Sequence, residues 1–251
     1  MKTMVVSASI SATMHGRTTV KPPSSSVGDY LKAIWELSEE GAAEGAATTN
    51  DVAERLSFSA ASVSNMFVRL REMGLAEYER YHGARLTEEG RAEALRLLRR
   101  HRLIETFLLE CLGYSWEEVH EEAESMEHSV TDAFTERLAA FLGDPAQDPH
   151  GDPIPTADGT LEADDSFPLA AATPGQQVRV YRVDDEEPAK LAYLEELGLT
   201  PGRLLEVREV RALDGVVVVE DEAAESRSIG GPLAGSVFVR NASEGGSQGA
   251  G

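Results

Sequence analysis

The sequence predicts a multi-domain α+β chain: a winged helix-turn-helix, then an α-helical domain, then a small domain of short strands. Three observations predict it. Residues 49–87 read as helix, turn, helix and hairpin. Residues 91–142 carry long helical periods set with His and Glu. From about residue 175 the pattern changes to short β-branched runs with one short helix among them. The expected boundaries are 1–26 a disordered extension, 27–90 the winged helix-turn-helix, 91–158 the helical domain, 159–174 a linker, 175–240 the strand domain and 241–251 a disordered tail.

Composition narrows the classes. The 251 residues hold 44 Asp/Glu against 23 Lys/Arg, a formal net charge of −21. That balance argues against broad affinity for nucleic acid, which is mainly cationic in origin. Only Lys2, Lys21, Lys32 and Lys190 are lysines, and Ala and Gly are abundant, as in cytosolic proteins of halophiles. In molar salt, surface charge is screened within a few ångströms, so net charge reports the solvent more than the partner. Residues 27–100 are spared most of the acid, with ten Lys/Arg against thirteen Asp/Glu. The single Cys111 excludes an internal disulfide and fits a reducing, cytoplasmic setting; inside Phe107–Leu112 it reads as a small core residue. No apolar run reaches the ~20 residues a membrane span needs, and no membrane role is expected.

The first element is a helix over Val27–Leu37, with Val27, Leu31, Ile34 and Trp35 at helical period, Ser26 as its cap and Asp29 in its first turn. Residues 38–47 read as an exposed Gly/Ala loop. Thr49–Leu56 is a short helix, Ser57–Ser59 a turn, and Ala60–Met73 a second helix with Val63, Phe67 and Leu70 inward and Gly74 as its terminator. Runs 75–80 and 84–87, joined at Tyr81–Gly83, form a hairpin. In a winged helix-turn-helix the second helix enters the major groove, so Ser59, Ala61, Ser62, Ser64, Asn65 and Arg69 are placed towards DNA, with Arg80 and Arg85 of the wing along phosphates. The bland alternative is a helical hairpin with no DNA role.

Thr87-Glu-Glu-Gly90 has a capping-type start and opens a helix to about Cys111. After a kink at Gly113–Tyr114, a single helix is expected over Ser115–Leu142. His101 and Glu105 are i, i+4. His120, Glu124, Glu127 and His128 are i, i+4, i+7 and i+8, one stripe of imidazole and carboxylate suited to a divalent first-row metal. Val119, Met126, Val130, Phe134, Leu138 and Phe141 lie off the stripe as the expected dimer face. The competing reading is a solvated acidic face. The zincin pattern is absent, because Glu124 stands where a second His is required. Beyond residue 143, strands are expected at 177–183, 204–210, 215–219 and 236–240, with a helix over 189–197.

Arg100–Glu105, Val119–His128 and the loop His150-Gly-Asp-Pro-Ile-Pro155, behind a winged helix, resemble the diphtheria toxin repressor family of metal-dependent transcriptional repressors, including its manganese branch. The resemblance implies that the strand domain is a small SH3-like β-barrel. It implies a primary metal site of Asp29, Glu124, Glu127 and His128, and an ancillary site of His101, Glu105 and His120, with Asp185 and Glu187 as further candidates. It also implies a homodimer that binds a palindromic operator in double-stranded DNA when metal is bound. Carboxylates at Asp29 and Glu124 make the site hard, favouring Mn²⁺ with Fe²⁺ second. Lys32 departs from the manganese branch, which has Glu there, and puts a binuclear geometry in question. A metal-independent regulator and a dinuclear-metal hydrolase are the alternatives; the sequence offers the hydrolase no evident nucleophile or phosphate cradle, and enzyme activity is not expected.

Overall fold

The computed structural model describes residues 25–39, 45–184 and 187–242. The expected extension 1–26 lies outside them up to residue 24, and of the expected tail only 241 and 242 are described. The order is α1 (Ser25–Glu39), α2 (Thr49–Arg55), α3 (Ala60–Glu72), β1 (Ala76–Glu79), β2 (Gly83–Leu86), α4 (Glu88–Phe107), a π-helical turn (Leu108–Leu112), α5 (Val119–Glu127), α6 (Asp132–Phe141), β3 (Phe167–Pro168), β4 (Gln177–Val183), α7 (Pro188–Glu196), β5 (Leu204–Val210), β6 (Val217–Asp221), β7 (Ser226–Ile229), α8 (Gly231–Gly235) and β8 (Val237–Asn241).

Helices α1–α3, the β1–β2 hairpin and the first half of α4 enclose one core around Leu31, Ile34, Phe67, Leu70, Ala94 and Leu98. Ser59 caps α3 by accepting the Ser62 N–H, and Thr87 caps α4 by accepting the Gly90 N–H. Gly90 is required there: a Cβ on it would stand 1.8 Å from the Leu75 carbonyl oxygen. Ala46 and Ala47 are buried rather than exposed. Ala47 and Ala84 exchange N–H···O bonds of 2.9 Å each way, which adds a third strip to the wing. Ser26 is the second residue of α1, not its cap, so Asp29 falls in the second turn.

The second half of α4 belongs to a different core, Leu103 and Ile104 with Leu108 of the π-helical turn and Val119, Ala123, Leu138 and Ala139. The expected Ser115–Leu142 helix is two helices. The chain leaves α5 at His128, and Thr131 caps α6 by accepting the Phe134 N–H. Val119 and Leu138 are therefore interior, while Phe134 and Phe141 remain exposed. Cys111 is exposed, against the expectation of a core position, because the π-helical turn rotates it outward.

The remaining strands form one antiparallel sheet of order β3-β8-β4-β5-β6-β7, with β-bulge irregularities in β4 and β5. Residues 167–171, read as linker from the sequence, are part of this unit: Phe167 pairs with Val239, and Leu169 is in its core. Asn241, assigned to the tail, ends β8. Trp116 of the helical domain is packed into the sheet's core, its indole N–H donating to Pro149 O at 2.8 Å. The Val183 N–H donates to His150 O at 2.9 Å, so the loop 146–155 lies against β4.

Candidate metal centre

Three elements meet at the His and carboxylate groups. Helix α1 brings Asp29 and Lys32, α4 brings His101 and Glu105, and α5 brings His120, Glu124 and Glu127, with His128 as its C-terminal cap. Gly28 permits the approach of α1: a Cβ on it would lie 3.1 Å from Leu97 Cδ1 and 3.3 Å from His128 Cε1.

The side chains separate into neighbouring clusters rather than one stripe. Asp29, Glu124, Glu127 and His128 each offer a ligand atom within 4.8 Å of the others, and so, separately, do His101, Glu105 and His120. His128 Nε2 is 2.9 Å from Asp29 Oδ1. Glu127 joins the two clusters: Oε2 is 2.8 Å from His101 Nδ1, and Oε1 is 3.3 Å from His128 Nε2. Its backbone is fixed by buried Arg100, which donates to Glu127 O at 3.1 Å and to Asp132 Oδ1 at 2.9 Å.

Electrostatics are dominated by buried carboxylates. Burial opposes a charge on His101, but the Glu105 carboxylate and the hydrogen bonds that the imidazole donates to Glu105 and Glu127 outweigh it and push the imidazole up to about 9. Burial would likewise raise Glu105, yet His101 beside it holds its carboxyl well below the usual range. Glu127 is also lowered, its burial outweighed by His101 and Lys32. Burial raises Asp29 despite His128. Lys32 is raised: burial works against the ammonium, but Glu127 and Glu124 outweigh it.

A third grouping was not singled out from the sequence. Glu105, Asp148 and His150 also offer ligand atoms within 4.8 Å of one another, and all three are buried. His150 Nε2 donates to the Trp116 carbonyl at 3.0 Å, which leaves Nδ1 as the lone-pair nitrogen. The loop 150–155 was visible in the sequence, but Glu105 is too distant along the chain for any spacing rule to pair them. Glu187 is exposed at the start of α7 and in none of the groupings; Asp185 lies outside the described residues.

The donors fit a divalent first-row metal. Glu105 Oε2 is buried and accepts no hydrogen bond among the described residues, and each grouping mixes carboxylate oxygen with imidazole nitrogen. Asp29, Glu124, Glu127 and His128 would hold one ion, and His101, Glu105 and His120 another.

On the winged unit, Ser59, Ala61, Ser62, Asn65, Arg69, Arg80 and Arg85 are exposed and Ser64 half-buried. A groove of about 490 Å³ runs between α3 and the wing, lined by Thr48, Thr49, Asn50, Ser64, Arg80 and Tyr81 among others. Ser59 differs from the expectation in one respect: its Oγ is engaged by the Ser62 N–H and lies 2.9 Å from the Ser62 hydroxyl, so it serves the cap.

A winged helix-turn-helix joined to a helical unit with clustered imidazole and carboxylate donors, and followed by an SH3-like domain, defines a metal-responsive DNA-binding regulator by class. Family models match the three units in turn: "Iron dependent repressor, N-terminal DNA binding domain" over residues 23–84, "Iron dependent repressor, metal binding and dimerisation domain" over 87–156, and "FeoA domain" over 167–241. The chain is 40% identical to the iron-dependent repressor IdeR of Mycobacterium tuberculosis over 126 residues, 50% of this chain and 54% of that protein. It is 33% identical to the diphtheria toxin repressor of Corynebacterium diphtheriae over 163 residues, 62% of this chain and 71% of that protein. The chain thus spans about half the length of the IdeR sequence it matches. Among solved structures, a manganese-dependent transcriptional repressor in complex with manganese superposes with a TM-score of 0.79 at 38% identity, covering 86% of this chain and 99% of that one. The chain belongs to the diphtheria toxin repressor family of metal-dependent transcriptional repressors.

Proposed function

We propose that the chain is a divalent-metal-activated transcriptional repressor of metal-homeostasis genes, that it acts as a homodimer on a palindromic operator in double-stranded DNA, and that it works in the cytoplasm without enzymatic activity. The observation that carries this is the double duty of α1. Its apolar face is in the core of the winged unit, while Asp29 on the same helix stands among Glu124 and Glu127 of α5 and its C-terminal cap His128. A bound divalent ion supplies positive charge that ties α1 to α5. The residues of α1 then hold the winged unit in one orientation on the helical unit, and by linkage DNA tightens metal binding as much as metal tightens DNA binding.

Helix α3 is the element for the major groove, with Ser62, Ser64, Asn65 and Arg69 towards bases and Arg80 and Arg85 on phosphates. Exposed Phe134 and Phe141 on α6 are suited to a dimer contact. The oxygen-rich donor set favours Mn²⁺, with Fe²⁺ second. The test is binding to the chain's own upstream DNA in concentrated KCl, with chelator or with Mn²⁺ or Fe²⁺ under anaerobic conditions, for the wild type and Glu124→Ala. A gain of tenfold or more with metal, lost in the variant, is expected; that gain corresponds to ~1.4 kcal/mol of coupling. Tight binding indifferent to metal and to Glu124→Ala refutes the proposal.

A further inference from the structure

Any divalent ion entering the cluster of Asp29, Glu124, Glu127 and His128 meets a cation already within it. Lys32 is three residues after Asp29 on α1, so both side chains leave the helix on the same side. The Lys32 side chain is only 8% exposed, and its Nζ lies 2.6 Å from Glu124 Oε1 and 2.8 Å from Glu127 Oε1. These are two of the carboxylates the metal would use. Glu127 is fully buried and its second oxygen faces His101. Its Oε1, which accepts no hydrogen bond among the described residues, is thus the oxygen a metal would take, and it would be shared with the ammonium charge 2.8 Å away. Lysine is suited to this position because it is a compact charge on a flexible four-carbon stem.

Charge fixes the count of ions. Asp29, Glu124 and Glu127 with the Lys32 ammonium leave a formal charge of −2 in the cluster, which one divalent ion neutralises. A second divalent ion would find no countercharge. A carboxylate in place of Lys32 would bring the cluster to −4, the complement of two divalent ions.

We propose that Lys32 is a tethered competitor cation, which weakens divalent-metal binding at Asp29, Glu124, Glu127 and His128 and limits that cluster to one ion. The inference rests on the metal-site reading above and names what sets its affinity and stoichiometry. The test counts Mn²⁺ per chain by native mass spectrometry and measures affinity by competition with a fluorescent chelator, on the full chain, for the wild type, Lys32→Glu, Lys32→Met and Asp29→Ala. Helical circular dichroism verifies folding. Lys32→Glu is expected to hold one Mn²⁺ more than the wild type. Lys32→Met is expected to hold the wild-type number, with the ion that Asp29→Ala removes bound at least tenfold more tightly. An unchanged count in Lys32→Glu, or an unchanged or weaker affinity in Lys32→Met, overturns the competitor role; if Lys32→Glu does not fold, Lys32→Met alone decides. If Asp29→Ala removes no ion from the wild type, the metal-site reading itself has failed, a result distinguishable from either of those.

Discussion

Arg100 closes the gap between α5 and α6, and its removal should loosen the metal cluster from behind. The side chain is 3% exposed, donates to the carbonyl of Glu127 at 3.1 Å and reaches Asp132 across the break at 2.9 Å. In Arg100→Met the buried Glu127 carbonyl loses a charged donor, worth about 1.5–3 kcal/mol. The Asp132 limb adds no more than about 1 kcal/mol, because that carboxylate is mostly solvated. Against these stands Arg100 Nε, buried and without a hydrogen-bond partner among the described residues, whose removal is favourable. The net expectation is a loss of about 2 kcal/mol from the helical unit, read by urea denaturation of the metal-free protein. Metal affinity should fall with it, since Glu127 and His128 stand at the released end of α5. Arg100→Lys keeps the charge but not the fork and should be intermediate. Asp132→Ala should cost under about 1 kcal/mol. A loss below about 1 kcal/mol in Arg100→Met, or an equal loss in Asp132→Ala, would show that the carbonyl is not the anchor.

Three further outcomes are expected. His101 has a folded pKa of about 9 against an ordinary 6.5, so its contribution is fully present below pH 6.5 and is lost as pH rises towards 9. Urea denaturation of chelator-treated protein should show stability falling across that window, by up to about 1.4 kcal/mol per pH unit, and His101→Gln should flatten the slope; a wild type as stable at pH 9 as at 6.5 would contradict it. Gly151 has φ +93°, and a Cβ there would stand 2.1 Å from the Tyr181 carbonyl oxygen, so Gly151→Ala should push the 146–155 loop off β4 at a cost above about 2 kcal/mol. An unchanged denaturation midpoint and unchanged protease resistance of that loop would count against this docking. Arg80→Ala should weaken DNA binding alike for all sequences and make the dependence of log K on log salt shallower by about 0.9, whereas a changed base preference would place Arg80 on base edges.

Much of the fold was legible because its signals are local. Val63, Phe67 and Leu70 mark α3 by period, Thr87 marks the start of α4, and the β-branched runs at 177–183 and 204–210 coincide with β4 and β5. The break after His128 was missed because the apolar period of the two helices runs through it; the signal was Thr131, whose side chain is a better cap than a mid-helix residue. Strand β7, Ser-Arg-Ser-Ile, is a polar edge that shows no alternation worth trusting. The candidate ligands were visible as residue types, but their sorting was not: it depends on how α4 is rotated against α5, and on a loop that brings Asp148 and His150 back to Glu105. Lys32 was recognisable as a departure, but only the packing of α1 places its ammonium between Glu124 and Glu127.

Helix α4 has Ala94, Leu95 and Leu98 in the core of the winged unit and Leu103 and Ile104 in the core of the metal-bearing unit. The two units thus share a rigid rod with no joint between them. Dissecting the protein into a DNA-binding fragment and a metal-binding fragment would require cutting that rod, and each piece would expose half of someone else's core. Melting should follow the same grain: the first two units unfold together in one cooperative step, whereas the sheet, which completes its own core with Trp116 as the visitor, can give its own transition.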